Sequence, residues 1–181
     1  MKKHLLALLF ITATSVAFAD EMDFNRHHGF YAEITGGTNA YYAGVLSSRV
    51  SLPQGGIEGG AVGVALGYHF TPTIALDFSP SVALEVGNIV SFIQINHGMN
   101  ADMPYVTSRF DVPIGSRINF IAKLGGMAIL APGVGGLVLP FTGVGFSYAV
   151  TKNLEVAAQY QGAFYGIAAV GMAALGLTYH F

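Results

Sequence analysis

The last eleven residues, 171–181, alternate between two kinds of side chain. From Ala173 onward the odd positions are apolar and end in Tyr179 and Phe181, whereas the even positions between them are small or polar. This period of two predicts a β-strand with one apolar face. The stretch is as long as a strand that crosses a bilayer, which needs about 9–11 residues. Because an open strand edge leaves backbone groups unsatisfied in lipid, we expect the rest of the chain to close a sheet onto this strand.

The apolar content of the chain is high but is not concentrated in one segment. Hydrophobic residues make up 52% of the sequence and charged residues 10%, whereas a soluble domain carries about 25% charge. No stretch after the first nineteen residues offers the roughly 20 apolar residues of a membrane helix. Distributed apolarity of this kind is typical of alternating membrane strands.

The first residues have the pattern of an export signal. Lys2 and Lys3 precede an apolar run over 5–11, and Ala17-Phe18-Ala19 is a small-x-small cleavage site. We therefore expect residues 1–19 to be a signal peptide, 20–28 a polar periplasmic lead-in, and 29–181 the membrane domain. Without Lys2 and Lys3, six basic residues face ten acidic ones, which argues against nucleic acid as a partner. The absence of cysteine excludes disulfides and thiolate metal sites.

Seven further alternating segments precede the terminal strand. The predicted strands cover 29–35, 61–70, a stretch beginning at Thr73, 105–112, 118–128, 141–150, 154–161 and 171–181. Residues 36–60 and 130–140 are rich in turn formers and predict long loops, whereas Thr71-Pro72, 113–116 and 151–153 predict tight turns. The stretch 82–103 is the least clear, and we interpret it as an extension of the third strand followed by a loop.

Eight strands joined by alternating short and long connections predict an all-β fold, an eight-stranded antiparallel up-and-down transmembrane β-barrel. Short turns then face the periplasm, so both termini are expected there. One face of nearly every strand is apolar, and the likely charged strand residues all lie on the other face. A soluble barrel would show the reverse, with apolar residues inside. The pattern therefore favours a membrane barrel.

Three segments resemble a known family. Residues 140–160 are similar to its sixth strand, tight turn and seventh strand, and residues 64–76 to its second hairpin, while Leu177-Thr-Tyr-His-Phe181 resembles its terminal strand. The family is the eight-stranded outer membrane β-barrels, which include the opacity-type proteins and the transmembrane domain of outer membrane protein A. The resemblance implies an outer membrane location, contact with its lipid, and a terminal signal at Tyr179 and Phe181 that the barrel assembly machinery reads.

The inward positions of the predicted strands carry charged groups. Charges buried in so narrow a barrel must be paired. Asp77 lies four residues after the turn at Thr73 and Arg109 four before Pro113, so we predict that they pair across neighbouring strands, with Lys123 reaching toward Glu33. The predicted lumen network, which leaves no continuous aqueous pore, comprises Glu33, Asp77, Arg109, Asp111, Lys123 and Glu155.

Three histidines are predicted to meet at the periplasmic mouth, namely His27, His69 and His180. They could form a pH-sensitive or metal-binding cluster, since imidazole titrates near pH 6.5. The alternative is a set of independent, hydrated histidines, and this alternative is the more economical interpretation. The glycine-rich segments 125–126 and 133–136 lack the following Lys-Ser/Thr of a phosphate loop, so we predict no cofactor.

Some barrels of this size resemble lipid A-modifying enzymes, which need a base within reach of a nucleophile. Here the candidate groups are His97, Ser91 and Glu85, but Met99 stands where the deacylase His-x-Ser pattern places its serine. We therefore predict that the protein is not an enzyme.

Two function classes stay open from the sequence. The first is a structural or surface-interaction barrel of adhesion type, whose external loops contact host or cell-surface ligands. The second is a small transport barrel for ions or apolar solutes. Apolar residues in the predicted loops favour the first class, although the same residues could line an apolar portal: Tyr41, Tyr42, Val45, Leu46, Ile89, Phe92 and Ile93. The aromatic residues predicted to form interfacial girdles are Tyr31, Tyr68, Phe70, Phe146, Tyr148, Tyr160, Tyr179 and Phe181.

Overall fold

The structure is a computed structural model that describes residues 28–42, 45–47, 50–51, 56–70, 81–93, 99–131, 135–165 and 168–181. The strands are β1 (Gly29–Tyr42), β2 (Val45–Ser47), β3 (Val50–Ser51), β4 (Gly56–Phe70), β5 (Ser81–Ile93), β6 (Met99–Pro113), β7 (Ile118–Ala131), β8 (Gly135–Ala149), β9 (Leu154–Tyr165) and β10 (Ala168–His180). Within these ranges no helix is long and apolar enough to cross a membrane.

Eight of these strands close a barrel in the order β1-β10-β9-β8-β7-β6-β5-β4, with antiparallel pairing between all neighbours. Strands β2 and β3 form a separate two-stranded sheet. The predicted fold class is therefore confirmed.

Closure occurs on the terminal strand, as its alternation predicted. Strand β10 pairs with β1, so that Leu177 lies opposite Ile34. The backbone N–H of Phe181 donates to the carbonyl of Phe30 at 3.0 Å. The side chain of Asn153 donates to the carbonyl of His180 at 2.7 Å. These bonds satisfy the backbone at the point where the two ends of the chain meet.

The two faces of the sheet differ in the manner that the alternation predicts. On β1, Phe30 is 66% exposed and Ile34 60% exposed, whereas Glu33 between them is 2% exposed. On β10, Leu175 is 73% exposed and its neighbour Ala174 is buried. The apolar side chains thus point outward, and the alternate positions fill the lumen.

Several strands are longer than predicted. Strand β1 continues to Tyr42 through the first part of the predicted 36–60 loop, and β8 begins at Gly135 inside the predicted 130–140 loop. Both stretches contain glycines, which suggest loops, but barrel pairing holds them as strand. The added part of β1 pairs with β10 and β4, and the added part of β8 pairs with β7.

The described part of the third barrel strand lies in the stretch predicted as an extension of the strand from Thr73. The partner of β4 is β5, which begins at Ser81, and Val82 lies opposite Phe70. The turn predicted at Thr71-Pro72 and the strand predicted from Thr73 lie outside the described residues. The stretch 82–93, interpreted as an extension of the third strand, is confirmed as strand.

The predicted alternation of short and long connections holds only in part, because the predicted long loop over 130–140 is mostly strand. One end of the barrel, here called the terminal end, holds Gly29, the turns 114–117 and 150–153, and Phe181. At the opposite, distal end, residues 132–134 join β7 to β8 and residues 166–167 join β9 to β10, and both connections are shorter than those turns. The longer strands use the residues that we had assigned to loops.

Candidate functional site

The lumen is the candidate functional site, and Arg109 on β6 is the centre of its terminal half. Its side chain is fully buried. Its Nη1 donates to Glu33 Oε2 at 2.8 Å, its Nε to Asp111 Oδ1 at 2.9 Å, and its Nη2 approaches Glu155 Oε2 at 3.5 Å. The guanidinium also lies 5.2 Å from the ring centroid of Tyr31. One planar cation therefore links strands β1, β6 and β9 across the barrel.

Lys123 on β7 is a second buried cation. Its Nζ donates to Glu33 Oε1 at 3.0 Å and to Glu85 Oε1 at 2.8 Å. Glu33 is therefore shared by Arg109 and Lys123, and it also accepts from Gln159 Nε2 at 2.8 Å. Glu33 and Glu85 therefore each accept several hydrogen bonds, which a carboxylate buried in a low-dielectric interior needs.

Two tyrosine hydroxyls also donate hydrogen bonds to the carboxylate of Glu85. Tyr31 donates to it at 2.6 Å and Tyr105 at 3.0 Å. A Cβ at Gly67 would overlap the Tyr31 ring, and one at Gly87 would overlap the Tyr105 ring. Glycine at these two inward positions therefore allows each ring to lie flat against the neighbouring strand and to direct its hydroxyl toward the carboxylate.

The structure brings most of the predicted lumen residues together. Glu33, Arg109, Asp111, Lys123 and Glu155 all face inward and are buried. Lys123 contacts Glu33, the partner that the sequence suggested.

Asp77 lies outside the described residues. Its predicted pairing with Arg109 assumed a strand over 73–79, and the residue that lies opposite Arg109 on the neighbouring strand is Ala83. Glu85 is absent from the predicted lumen network because the faces of the stretch 82–103 were left unassigned. The available signal was the alternation over residues 82–86, in which Ala83 and Glu85 occupy the same face.

Two of the three predicted histidines meet at the terminal end of the lumen. The rings of His69 and His180 lie 5.5 Å apart, and Tyr31 packs against both. His69 Nδ1 is 2.6 Å from Ser81 Oγ, and its Nε2 is 3.6 Å from Asp111 Oδ2.

His180 Nε2 lies 3.2 Å from Glu155 Oε2. His27 lies outside the described residues. Among the residues that the structure describes, no group of three or more His, Asp or Glu side chains is arranged to hold a metal ion.

The distal half of the lumen is lined mainly by apolar side chains, which the predicted lumen network of charged residues does not include. Tyr105 stacks on Phe141 with centroids 4.6 Å apart. A hydrogen bond from Ser91 Oγ to Asn39 Oδ1, at 2.9 Å, lies at the distal edge of this cluster. The larger apolar side chains buried in the distal half are Ile89, Met103, Tyr105, Met127, Ile129, Leu139, Phe141 and Met172.

The residues considered for acyl transfer do not form one site within the described part of the chain. Ser91 bonds to Asn39, whereas Glu85 is held by Lys123 and two tyrosines. The two lie six residues apart on β5, or roughly 20 Å at about 3.3 Å per residue. His97 lies outside the described residues.

Most of the predicted girdle aromatics lie on the outer face. Tyr179 is 48% exposed and Phe181 is 73% exposed, and their rings meet edge to face at 5.2 Å. Tyr31 is the exception, since it is fully buried in the lumen. Its odd position on β1 is the inward one, so its assignment to a girdle was wrong.

Comparison with known proteins finds solved β-barrels whose structures are similar to this one. It matches no protein-family model, and no curated protein matches it significantly. The crystal structure of Ail, the attachment invasion locus protein of Yersinia pestis, has a TM-score of 0.54 at 14% identity, covering 86% of this chain and 100% of that one.

Two further crystal structures are similar. Neisserial surface protein A has a TM-score of 0.59 at 15% identity, covering 84% of this chain and 97% of that one. The N-terminal β-barrel domain of Pseudomonas aeruginosa OprF has a TM-score of 0.53 at 15% identity, covering 83% and 97%. At these identities the likeness shows a shared fold, the eight-stranded barrel of outer membrane proteins.

Proposed function

We propose that this protein is an integral outer membrane β-barrel with a closed interior and a structural or surface-contact role. The distribution of side chains carries the proposal. Leu66 and Leu124 are each 62% exposed on the outer face, whereas Arg109 is fully buried inside. In water this arrangement would expose a continuous apolar wall, but in a bilayer that wall contacts lipid.

The closed interior supports a role other than conduction. Eight strands leave an interior that side chains can fill. Here a charged layer around Arg109 and Lys123 is followed along the barrel axis by an apolar layer around Met127 and Phe141. A water-filled path would have to cross both layers. We therefore propose that the lumen is plugged and holds no catalytic site.

Single-channel recording tests the closed lumen. Purified, heat-modifiable protein inserted into planar bilayers is expected to give no steady current. A variant with Met127, Phe141 and Met172 all changed to Gly serves as the reference in which the apolar layer is removed. Steady ohmic currents from the unaltered protein would favour the alternative function, a small transport barrel for ions or apolar solutes.

We propose further that the terminal end faces the periplasm, so that both chain termini lie there. The chain has no cysteine, so single cysteines can report each end. Ser47→Cys, between the distal ends of β1 and β4, is expected to react with a membrane-impermeant maleimide in intact cells. Lys152→Cys, in a terminal turn, is expected to react only after the outer membrane is permeabilised. The reverse labelling pattern would invert the proposed orientation.

A surface-contact role would depend on residues 43–55, the longest connection at the distal end. Two similar barrels are named as an attachment invasion locus protein and a surface protein, and we propose a comparable role here. Replacing residues 45–51 by a Gly-Ser linker is expected to lower adherence of expressing cells to host cells or matrix. Replacing 94–98 by a linker is the matched control. Unchanged adherence at equal levels of folded protein would contradict the surface-contact role and leave only the structural role.

The proposed partner in assembly is the barrel assembly machinery, with Tyr179 and Phe181 as its signal. Both side chains stand exposed at the terminal end. Deletion of Phe181 is expected to lower the amount of folded protein in the outer membrane sharply while export continues. The matched control is Phe30→Ala, which removes a neighbouring exposed aromatic outside the signal. Normal amounts of folded protein after the deletion would contradict the assignment.

A further inference from the structure

We propose that the outer wall of the barrel binds one lipid acyl chain in a groove across β9 and β10, with Tyr160 at the polar end of the lipid. The site rests on the proposed membrane location and deepens it, because it assigns one specific lipid position on a wall that otherwise contacts lipid only in general.

The groove follows from the sizes of the outward side chains along one row of the sheet. Ala158 of β9 lies between Phe146 of β8 and Leu175 of β10. On the other side of Leu175, Gly36 of β1 lies between Leu175 and Val62 of β4. All five positions are exposed on the outer face. Each small residue therefore leaves a depression between two large neighbours.

The next row toward the distal end extends the depression. Ala173 of β10 lies opposite Tyr160 of β9, so a further small residue adjoins Ala158 on the diagonal. A Cβ added at Gly36 would meet no atom within 4 Å. Leu175 is 73% exposed and stands as a ridge among these small residues.

Two hollows in the wall meet at this ridge. One, of about 630 Å³, extends to Tyr160, and the other, of about 490 Å³, extends to Tyr148. Phe146, Ala158 and Leu175 line both hollows, which therefore form one continuous groove. Every described residue that lines it is uncharged. Because Phe146 and Leu175 stand on strands about 10 Å apart, the space between their side chains suits a single hydrocarbon chain.

Tyr160 gives the groove a polar end. The ring is half-buried, and its hydroxyl lies 3.1 Å from the position that a Cβ on Gly171 would take. Gly171 is closer to the distal end than Ala173 is, so the hydroxyl points out of the apolar part of the groove. Within the described part of the chain this hydroxyl has no hydrogen-bond partner, which is costly in hydrocarbon. Ester or headgroup oxygens of a lipid whose chain fills the groove would accept its proton.

A second copy of the chain suits the groove less well. Copies in one membrane stand side by side, and lipid offers no hydrophobic driving force for their association, so close packing must supply it. Two convex barrel walls touch along a narrow line, whereas a stable protein interface buries about 800 Å² on each partner. A flexible acyl chain can follow the groove along its whole length.

Native mass spectrometry of the folded barrel tests the site. Protein refolded into palmitoyl-oleoyl phosphatidylethanolamine vesicles and extracted into a mild detergent is expected to carry one lipid per chain. Ala158→Leu fills the groove and should lower the lipid-bound fraction about tenfold, as for the loss of about two buried methylene contacts. The matched control is Ala32→Leu, which enlarges an outward alanine of β1 between Leu66 and Tyr179, outside the groove, and should keep the lipid.

Two further variants act without filling the groove. Tyr160→Phe removes the hydroxyl and should lower the lipid-bound fraction by roughly two- to tenfold. Leu175→Ala removes the ridge that both hollows share, so it should also lower the fraction, and it replaces Ala158→Leu as the test if that variant does not fold.

The proposal requires lipid on the unaltered protein and on Ala32→Leu, together with its loss from the groove variants. An unaltered protein that carries no lipid, equal retention by all variants, or a mass of two chains without lipid would each overturn it. Insertion into the vesicles and heat-modifiability are scored separately. A barrel that inserts and folds but carries no lipid overturns the acyl-chain site alone, whereas a chain that does not insert overturns the proposed membrane location as well.

Discussion

The two halves of the lumen are equally well buried but are filled by opposite chemistry. In the terminal half, Arg109 and Lys123 are held by carboxylates at hydrogen-bonding distance. In the distal half, Met127 and Phe141 are packed among apolar side chains. Tyr105 belongs to both, since its ring stacks on Phe141 and its hydroxyl donates to Glu85.

This difference shows that an apolar exterior does not dictate a polar interior. A narrow lumen must be filled, and either paired charges or packed apolar groups can fill it. The charged half depends on the completeness of its pairs, because a missing partner leaves a buried charge. The apolar half depends on volume and shape. Substitutions should therefore have different consequences in the two halves.

The strongest disruption is to place a charge in the wrong half. Ile129→Glu puts a carboxylate into the apolar layer, where Leu137 lies opposite it and no cation is in contact among the described residues. An unpaired buried charge is so costly that we expect no folded barrel. Ile129→Met keeps the volume and should fold. The measurement is heat-modifiability on a gel, and normal folding of the glutamate variant would show that the distal half admits water or ions.

The next largest effect should come from removing a cation from the charged half. Arg109→Ala leaves three carboxylates without their shared partner and should cost about 3–5 kcal/mol of unfolding free energy. Adding Asp111→Asn should recover part of the loss, because one uncompensated charge is then removed. The measurement is urea unfolding in lipid vesicles. A double variant less stable than Arg109→Ala alone would mean that Asp111 is held mainly by other groups.

The same double-variant design tests the pair of Asp77 and Arg109 that the sequence predicts. If Asp77 supports Arg109, then Asp77→Ala should also recover stability in the Arg109→Ala background. If only Asp111→Asn recovers stability, the carboxylate that Arg109 depends on is Asp111 and not Asp77.

The charged half was largely predictable from sequence, and the reason is the alternation. On β6 and β7, Arg109, Asp111 and Lys123 alternate with apolar neighbours, which fixes the inward face. The sequence predicts the contact of Lys123 with Glu33 but not the partners of Arg109. Arg109 on β6 contacts Glu33 on β1 and Glu155 on β9, and neither strand is a neighbour of β6. Such contacts depend on barrel closure and tilt, which a linear pattern does not encode.

The apolar half was missed because both faces of its strands are apolar. Residues 127–130 read Met-Ala-Ile-Leu and residues 137–139 read Leu-Val-Leu, so the period of two is not visible there. Gly135, Gly136 and Pro140 then suggested a loop. The pairing of β7 with β8 over this stretch shows a continuous strand instead.

A smaller effect should mark the boundary between the two halves. Tyr105→Phe keeps the ring on Phe141 and removes one donor from Glu85, which retains Tyr31 and Lys123. A hydrogen bond to a charged group contributes about 1.5–3 kcal/mol, so we expect a loss in that range in the same unfolding assay. Tyr105→Leu should lose more, because it also removes the stacked ring. Equal losses would mean that the stacked ring contributes nothing and that Tyr105 belongs to the charged half alone.

The smallest effect should come from the outer wall of the apolar half. Val138 and Leu139 are adjacent on β8, but Val138 is 76% exposed and Leu139 is 4% exposed. Leu139→Ala opens a cavity inside the lumen and should cost about 2–5 kcal/mol. Val138→Ala leaves a space that lipid chains can fill, so its cost should stay within about 0.5 kcal/mol, as for other exposed positions. The two variants truncate adjacent apolar residues on opposite faces of the sheet. Unfolding in lipid vesicles therefore compares packing inside the barrel with contact outside it, and similar losses would mean that the outer wall at Val138 is covered by protein rather than by lipid.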